Sequence, residues 1–434
     1  MAEAALTERA KSFSTAYQWY ALGVLFVVYV FNFIDRSVLA LLAQSIKEDL
    51  QVSDTALGFL SGLAFAIFYT ALGVPIARLA DRGNRRNIVV VCLSIWSAMT
   101  ALCGLATSYA YLLLARIGVA IGEAGGSPPS HSMISDMFPQ HRRATALGIY
   151  ALGIPVGSMI GALAGGWINE ALSWRAAFVW VGLPGLLLAL IVRFTLKEPP
   201  RGVSEPARVD VGTPPPVGDV IRTLWQRKSF RWLSISAGFQ ALVGYGSGAW
   251  VPAMFERSHH LTSATIGKAL FLLGFAGVAG TFAGGWYGDK LGRRDVRWYM
   301  WLPAITTAVA VPFSVYCYLA SDPWHAFWMM IVPSVLGAYW LAPVFSLTQG
   351  LVGLRMRAVA ASVMLFILNL IGMGLGPWLV GMVSDVLHAH TALGDDALRW
   401  ALVCSQGFAL LATFCCMRGA LTLKDDLARG LAHA

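Results

Sequence analysis

The chain has 434 residues, 57% of them hydrophobic and 13% charged, with a formal net charge of +9 and a mean hydropathy of +0.63. A soluble protein is about one quarter charged, so a soluble globular domain is excluded. The basic excess sits in the short polar segments between apolar runs, which is a topological signal and excludes a nucleic-acid binder. Cys92, Cys103, Cys317, Cys404, Cys415 and Cys416 all lie in apolar runs without metal spacing or a disulfide framework, so no metal and no cofactor is expected. Residues 1–18 are polar, and no small-residue cleavage site follows them.

Apolar runs long enough to cross a bilayer recur at 19–43, 56–77, 87–108, 109–137, 144–170, 175–196, 230–254, 264–287, 297–320, 324–350, 357–386 and 397–419. They predict an all-α integral, multi-pass membrane protein of twelve transmembrane helices (a bacterial inner-membrane protein if the chain is prokaryotic). The fourth, fifth, tenth and eleventh runs exceed what a bilayer needs and are expected to tilt or project. With the N-terminus inside, the outer segments hold only Lys47, Arg175, Arg257, Lys268 and Arg399 among basic residues. That bias places both termini in the cytoplasm. The expected organisation is an N-terminal segment 1–18, a six-helix bundle 19–196, a linker 197–229, a second six-helix bundle 230–420 and a tail 421–434. The linker is rich in proline and charge and is expected to contain a short interfacial helix near 217–227; residues 5–18 are read as another.

Charges inside apolar runs are costly and need a partner or a wet cavity. The first run holds Asp35 and Arg36; the fourth holds Arg116 and Glu123, seven residues apart on one helix face, or about 10.5 Å along the axis. Ser127 and either Ser130 or His131 extend that stripe, with Pro128 and Pro129 expected to kink the helix. Because the first helix runs outward and the fourth inward, the two charge pairs reach similar depth. Two readings stand. The four charges pin two helices together, or Glu123 and Asp35 take up protons while Arg36 and Arg116 clamp an anion. The fifth run, with Tyr150, is dense in glycine from Gly148 to Gly166, which permits close helix packing.

The second half has no charge near mid-membrane. Polar residues form stripes there: Gln240 and Ser247 on the seventh run, Tyr339 and Ser346 on the tenth, Asn369 on the eleventh. A charged half facing a mildly polar, aromatic half suits an amphipathic anion. Ser127, Tyr150, Gln240, Ser247, Tyr339, Ser346 and Asn369 are therefore substrate-binding candidates beside Arg36 and Arg116.

Two loops at equivalent positions repeat one pattern. "ARLADRGNRR" at 77–86 carries Asp81, Arg82, Arg85 and Arg86; "GWYGDKLGRR" at 285–294 carries Asp289, Lys290, Arg293 and Arg294. A carboxylate near helix ends and arginines can form a cytoplasmic latch that closes in one state. The pattern resembles the G-x-x-x-D-[RK]-x-G-R-[RK] signature of the major facilitator superfamily. The second copy is complete, and the first has Ala77 and Asn84 in place of glycines.

Within that superfamily, "NFIDRSVLA" and "RIGVAIGEAGGSPPSHSMISDMFP" resemble the Spinster family at Asp35, Arg36, Arg116, Gly122, Glu123, Ala124, Asp136, Phe138 and Pro139, with Gly125 and Gly126 where that family usually has Ser-Tyr. The resemblance implies two pseudo-symmetric six-helix bundles and export or exchange of lysolipids or sphingosine phosphate by alternating access, with the acids as proton sites. An Asp-Arg pair in the first helix also occurs in superfamily carriers of sugar acids and other organic anions, which is the alternative. An enzyme is not expected, since the chain has no HExxH and no P-loop. The expected partners are an anionic or lipid substrate, protons and membrane lipids, and the expected state is a monomer.

Overall fold

The computed structural model describes residues 13–201 and 216–431. All regular structure among these residues is helical. In chain order the elements are α1 (Thr15–Leu50), α2 (Asp54–Arg82), α3 (Arg85–Cys103), α4 (Tyr109–Glu123), α5 (Ser127–Met137), α6 (Gln140–Ala171) and α7 (Trp174–Thr195). They continue with α8 (Val217–Gln226), α9 (Lys228–His259), α10 (Ser263–Gly292), α11 (Trp298–Leu319), α12 (Pro323–Gly350), α13 (Arg357–His390) and α14 (Ala397–Leu431). Among the described residues, 10 helical segments are long and apolar enough to cross a membrane.

The expected fourth and seventh spans are helical but not among those ten. The fourth is two helices, not one kinked helix. α4 stops at Glu123, Ala124–Gly126 turn, and α5 restarts at Ser127 with proline in its first turn. Proline lacks an N–H and fits there, where no intrahelical partner exists for it. The seventh span is part of α9, whose serines, glycines and Gln240 lower its hydropathy. Helix starts follow local chemistry. The side chains of Ser53, Asn84, Ser108, Ser173, Thr262 and Asp322 each accept a hydrogen bond from a first-turn N–H.

The chain divides into two compact units, Met1–Ile46 with Ile67–Asp210, and Lys47–Ala66 with Val211–Ala434. In the first unit the glycine run of α6 packs on α1. A Cβ at Gly161 would lie 2.8 Å from the Ile34 carbonyl oxygen, so only glycine permits this approach. The contact fixes the rotation of α1 immediately before Asp35.

In the second unit the end of α1 and the start of α2 join the C-terminal helices. α2 has a π-helical turn at Phe59–Leu63, and α13 has one at Leu368–Leu375. The two turns meet where a Cβ at Gly62 would stand 2.6 Å from the Gly374 carbonyl oxygen. One end of this unit has an apolar core that includes Val220, Leu224, Phe230, Leu233, Met300, Leu347 and Leu423. α14 stays helical to Leu431, so most of the expected tail continues the last span. The first part of the expected interfacial helix at 5–18, and linker residues 202–215, lie outside the described residues.

Candidate functional site

The first unit contains a buried four-charge cluster whose pairing is specific. Asp35 on α1 accepts from Arg116 Nη1 of α4 at 3.1 Å and from Thr100 Oγ1 of α3 at 2.7 Å. Asp35 and Arg116 are 1% and 2% exposed. Ionised groups this deep require such a partner, because removing one leaves an uncompensated buried charge.

The neighbouring pair is different. Arg36 Nε donates to Glu123 Oε2 at 2.7 Å, with the Arg36 side chain 19% exposed and that of Glu123 fully buried. Glu123 Oε1 is buried without a hydrogen-bond partner among the described residues. The Arg36 guanidinium lies 5.1 Å from the Phe33 ring centroid and 4.9 Å from that of Tyr69. Aromatic faces stabilise a cation while leaving its N–H edge available.

Tyr150 extends this surface. It stacks on Tyr29 with centroids 4.4 Å apart, and His131 meets it edge-on at 5.1 Å. Ser127 and Ser130 face its hydroxyl. The break between α4 and α5 puts Glu123 and Ser127 on either side of one turn. Thus Asp35, Arg36, Arg116, Glu123, Ser127 and Tyr150 all belong to one unit, with Asp35 on Arg116, Arg36 on Glu123 and Tyr150 on Ser127.

In the second unit the polar candidates occupy different places. Thr307 Oγ1 of α11 donates to Gln240 Oε1 at 3.0 Å, and Ser247 pairs with the Tyr318 hydroxyl at 3.0 Å. Tyr339 stacks near Tyr287 at 6.3 Å, and Asn369 lies in the π-helical turn of α13. Ser346 faces Tyr299, whose hydroxyl donates to Asp289 at 3.2 Å, so it belongs with the α10–α11 loop.

The two signature loops are held differently. Arg85 is 1% exposed. It bonds Asp136, Ser132 Oγ at 2.8 Å, Glu198 Oε1 at 2.7 Å and the Pro199 carbonyl at 2.6 Å. Arg86 N–H donates to the other oxygen of Glu198 at 2.9 Å. Arg201 caps the end of α2, donating to the carbonyls of Ala80 at 2.7 Å, Gly83 at 2.6 Å and Asp81. The first loop is therefore clamped by the residues after α7. In the second loop Lys290 sits 4.5 Å over the Trp286 ring. Beyond Arg293 and Arg294, Asp295 pairs with Arg297 at 2.8 Å and Lys424 at 3.0 Å. These partners hold the Asp295 carboxyl well below its ordinary range.

Sequence reasoning missed one cluster. Asp54, at the start of α2, accepts from Lys47 at 2.7 Å, from Arg257 at 2.7 and 2.8 Å, and from Ser384 at 2.8 Å. Asp385 in turn accepts the Asp54 and Thr55 backbone N–H groups, at 3.1 and 2.7 Å. The available signal was the short set of basic residues expected on the outer side. Two exceptions to the positive-inside pattern, Lys47 and Arg257, converge on one carboxylate. Two more, Arg175 and Arg399, bond carbonyls at helix ends: Ala106, and Tyr318 with Ala320.

Comparison with known proteins agrees with this architecture. The Major Facilitator Superfamily profile matches residues 25–377. An "MFS-type efflux pump" of Mycolicibacterium smegmatis is 34% identical over 386 residues, covering 89% of this chain and 88% of the pump. "Protein spinster homolog 3" of Danio rerio is 27% identical over 443 residues, covering 97% of this chain and 88% of that protein. The crystal structure of a bacterial homolog to the human lysosomal transporter Spinster, inward-facing and unoccupied, superposes with a TM-score of 0.88 at 32% identity. That match covers 95% of this chain and 99% of the other. With its apolar helices, its repeated loop signature and relatives matched over most of its length, the chain is an integral, multi-pass membrane transporter of the Major Facilitator Superfamily, resembling Spinster.

Proposed function

We propose that the protein is a secondary active transporter, working by alternating access, that couples protons to an anionic amphipathic substrate of the lysolipid or sphingosine-phosphate kind. The observation that carries this reading is the contrast between the two ion pairs. Both oxygens of Asp35 have a partner, Arg116 or Thr100, whereas Glu123 has one oxygen on Arg36 and the other buried without a hydrogen-bond partner among the described residues. A proton taken up at Glu123 Oε1 neutralises the carboxylate and removes most of its attraction for Arg36. The released guanidinium then forks onto a phosphate or carboxylate head, supported by Phe33 and Tyr69. Loss of the head restores the pair and expels the proton.

In this reading Asp35 and Arg116 orient α1 against α4 and serve the site at one remove. Ser127 and Tyr150 line the head-group side; Gln240, Ser247, Tyr339 and Asn369 line the second half, with Ser346 nearer the inner loop. The twelve-span count, cytoplasmic termini, monomeric state and a latch formed by the two signature loops complete the proposal. Similarity to Spinster proteins supports the lipid class. A proton-coupled carrier of sugar acids or other organic anions is the competing reading, favoured by the wholly polar Gln240–Thr307 pair in the other half.

The deciding experiment is uptake into proteoliposomes with and without an imposed pH gradient, using lysolipid and sugar-acid substrates side by side. Gradient-stimulated lysolipid transport that loses its stimulation in Glu123→Gln supports the proposal. Stimulation of sugar-acid transport alone selects the competing reading, and absence of transport of either class sinks both.

A further inference from the structure

The short helix α8 has an apolar arc too wide for its own packing. Val220 and Leu224, both 0% exposed, enter the core of the second unit. Val217, Ile221 and Trp225, at i, i+4 and i+8, form a second stripe that is 58%, 43% and 53% exposed. Arg222 borders this stripe, while Asp219 lies about 160° around the helix from Ile221 at roughly 100° per residue.

The junction behind α8 is rigid. Ser229 N–H and Oγ, in the first turn of α9, donate to Asp426 Oδ2 of α14 at 2.7 and 2.8 Å. Arg227 Nη1 donates to the Asp426 carbonyl at 2.9 Å. Asp426 is 2% exposed, so these bonds fix α8 in one orientation. The same junction presents Lys228 and Arg231, both exposed. Exposed Arg418 adds a further base, next to Gly419, which packs on Trp232 of α9.

In a protein that spans a bilayer, a fixed amphipathic helix at the end of a span, with an outward Trp stripe and a rim of exposed bases, matches a charged membrane interface. We propose that α8 and the first turn of α9 form a docking surface for anionic phospholipid. Val217, Ile221 and Trp225 sit at the boundary between head groups and acyl chains, and Arg222, Lys228 and Arg231 hold the phosphates. This surface is distinct from the Arg36–Glu123 site and uses none of its residues.

The test is photo-crosslinking of the full chain in nanodiscs. Two probes carry the same diazirine acyl chain, one on phosphatidylglycerol and one on phosphatidylcholine. Each base near an anionic surface contributes about fivefold in local affinity. The peptide 216–231 should therefore label at least about fivefold more with phosphatidylglycerol than with phosphatidylcholine. In Arg222→Gln/Lys228→Gln, which alters exposed side chains only, the preference should fall by more than about fivefold, to no more than Arg231 alone sustains. Equal labelling in the wild-type chain, no labelling of 216–231, or an unchanged preference in the double variant would overturn the proposal. Transport assays play no part in the readout, so the result stands whatever the substrate is.

Discussion

Arg36 and Glu123 lie 87 positions apart in the chain and meet at 2.7 Å, the carboxylate fully buried and the guanidinium partly open. The guanidinium therefore keeps partial exposure, whereas the carboxylate has none. The Asp35–Arg116 pair beside it is closed on both sides. Function in the proposed cycle follows from that asymmetry.

Glu123→Gln keeps the shape and removes the titrating group. Proton-driven transport should fall to the level seen without a gradient, while substrate binding persists. Counterflow with and without a pH gradient measures this. Full gradient stimulation in the variant would place the coupling site elsewhere.

Arg36→Ala removes a charge-assisted contact worth about 1.5–3 kcal/mol. Affinity for an anionic substrate should weaken about ten- to hundredfold, measured by scintillation proximity or thermal shift with lysolipid. Unchanged affinity would return Arg36 to a purely architectural role.

Asp35→Asn removes the carboxylate that pairs with buried Arg116, and breaking such a pair costs about 3–5 kcal/mol. A lower melting temperature in detergent is expected. The paired replacement Asp35→Asn/Arg116→Met should recover much of it, because the buried charge is gone. If the paired variant also keeps gradient-driven transport, these residues orient helices and do not carry the proton.

The Asp54 cluster ranks its own partners. Arg257 is bidentate and 8% exposed, whereas Lys47 makes one contact and is 31% exposed. Arg257→Met should cost about 3–5 kcal/mol, and Lys47→Met about 1 kcal/mol or less. Melting temperatures that reverse this order would contradict the assigned pairing.

Asp295 tests whether pH dependence can arise beside the second signature loop. Its carboxyl is held below the ordinary value of 3.8 by Arg297 and Lys424. A depressed acid contributes stability above its unfolded pKa and loses it as pH falls through the folded one. That window lies wholly below about pH 4. Asp295→Asn should leave the transport profile between about pH 5 and 8 unchanged. A shifted profile would mean that this loop takes part in coupling.

The glycines of α6 look alike as a pattern but not in their surroundings. A Cβ at Gly161 would meet the Ile34 carbonyl at 2.8 Å, and one at Gly148 would meet nothing within 4 Å. Sequence spacing marks the run as a packing surface, yet cannot say which member touches α1. The same holds for the charges. Two acids and two bases in the first and fourth runs are visible in the sequence, but their pairing depends on how far each helix is rotated.

Hydropathy is a local sum along the chain, so the sequence by itself determined the helical membrane class, the positions of most of the apolar spans and where the charged residues fall within them. The repeated Asp81 and Asp289 loops were legible for the same reason, as short contiguous patterns. Tertiary structure decided that Glu123 pairs with Arg36 while Asp35 is closed by Arg116 and Thr100. It also gathered Lys47, Arg257 and Ser384 on Asp54, and left Ile221 and Trp225 outward when Val220 and Leu224 turned in. Those outcomes rest on distances of a few ångströms between helices remote in sequence. They are set by backbone approach at residues such as Gly161 and by which neighbour can satisfy a buried charge.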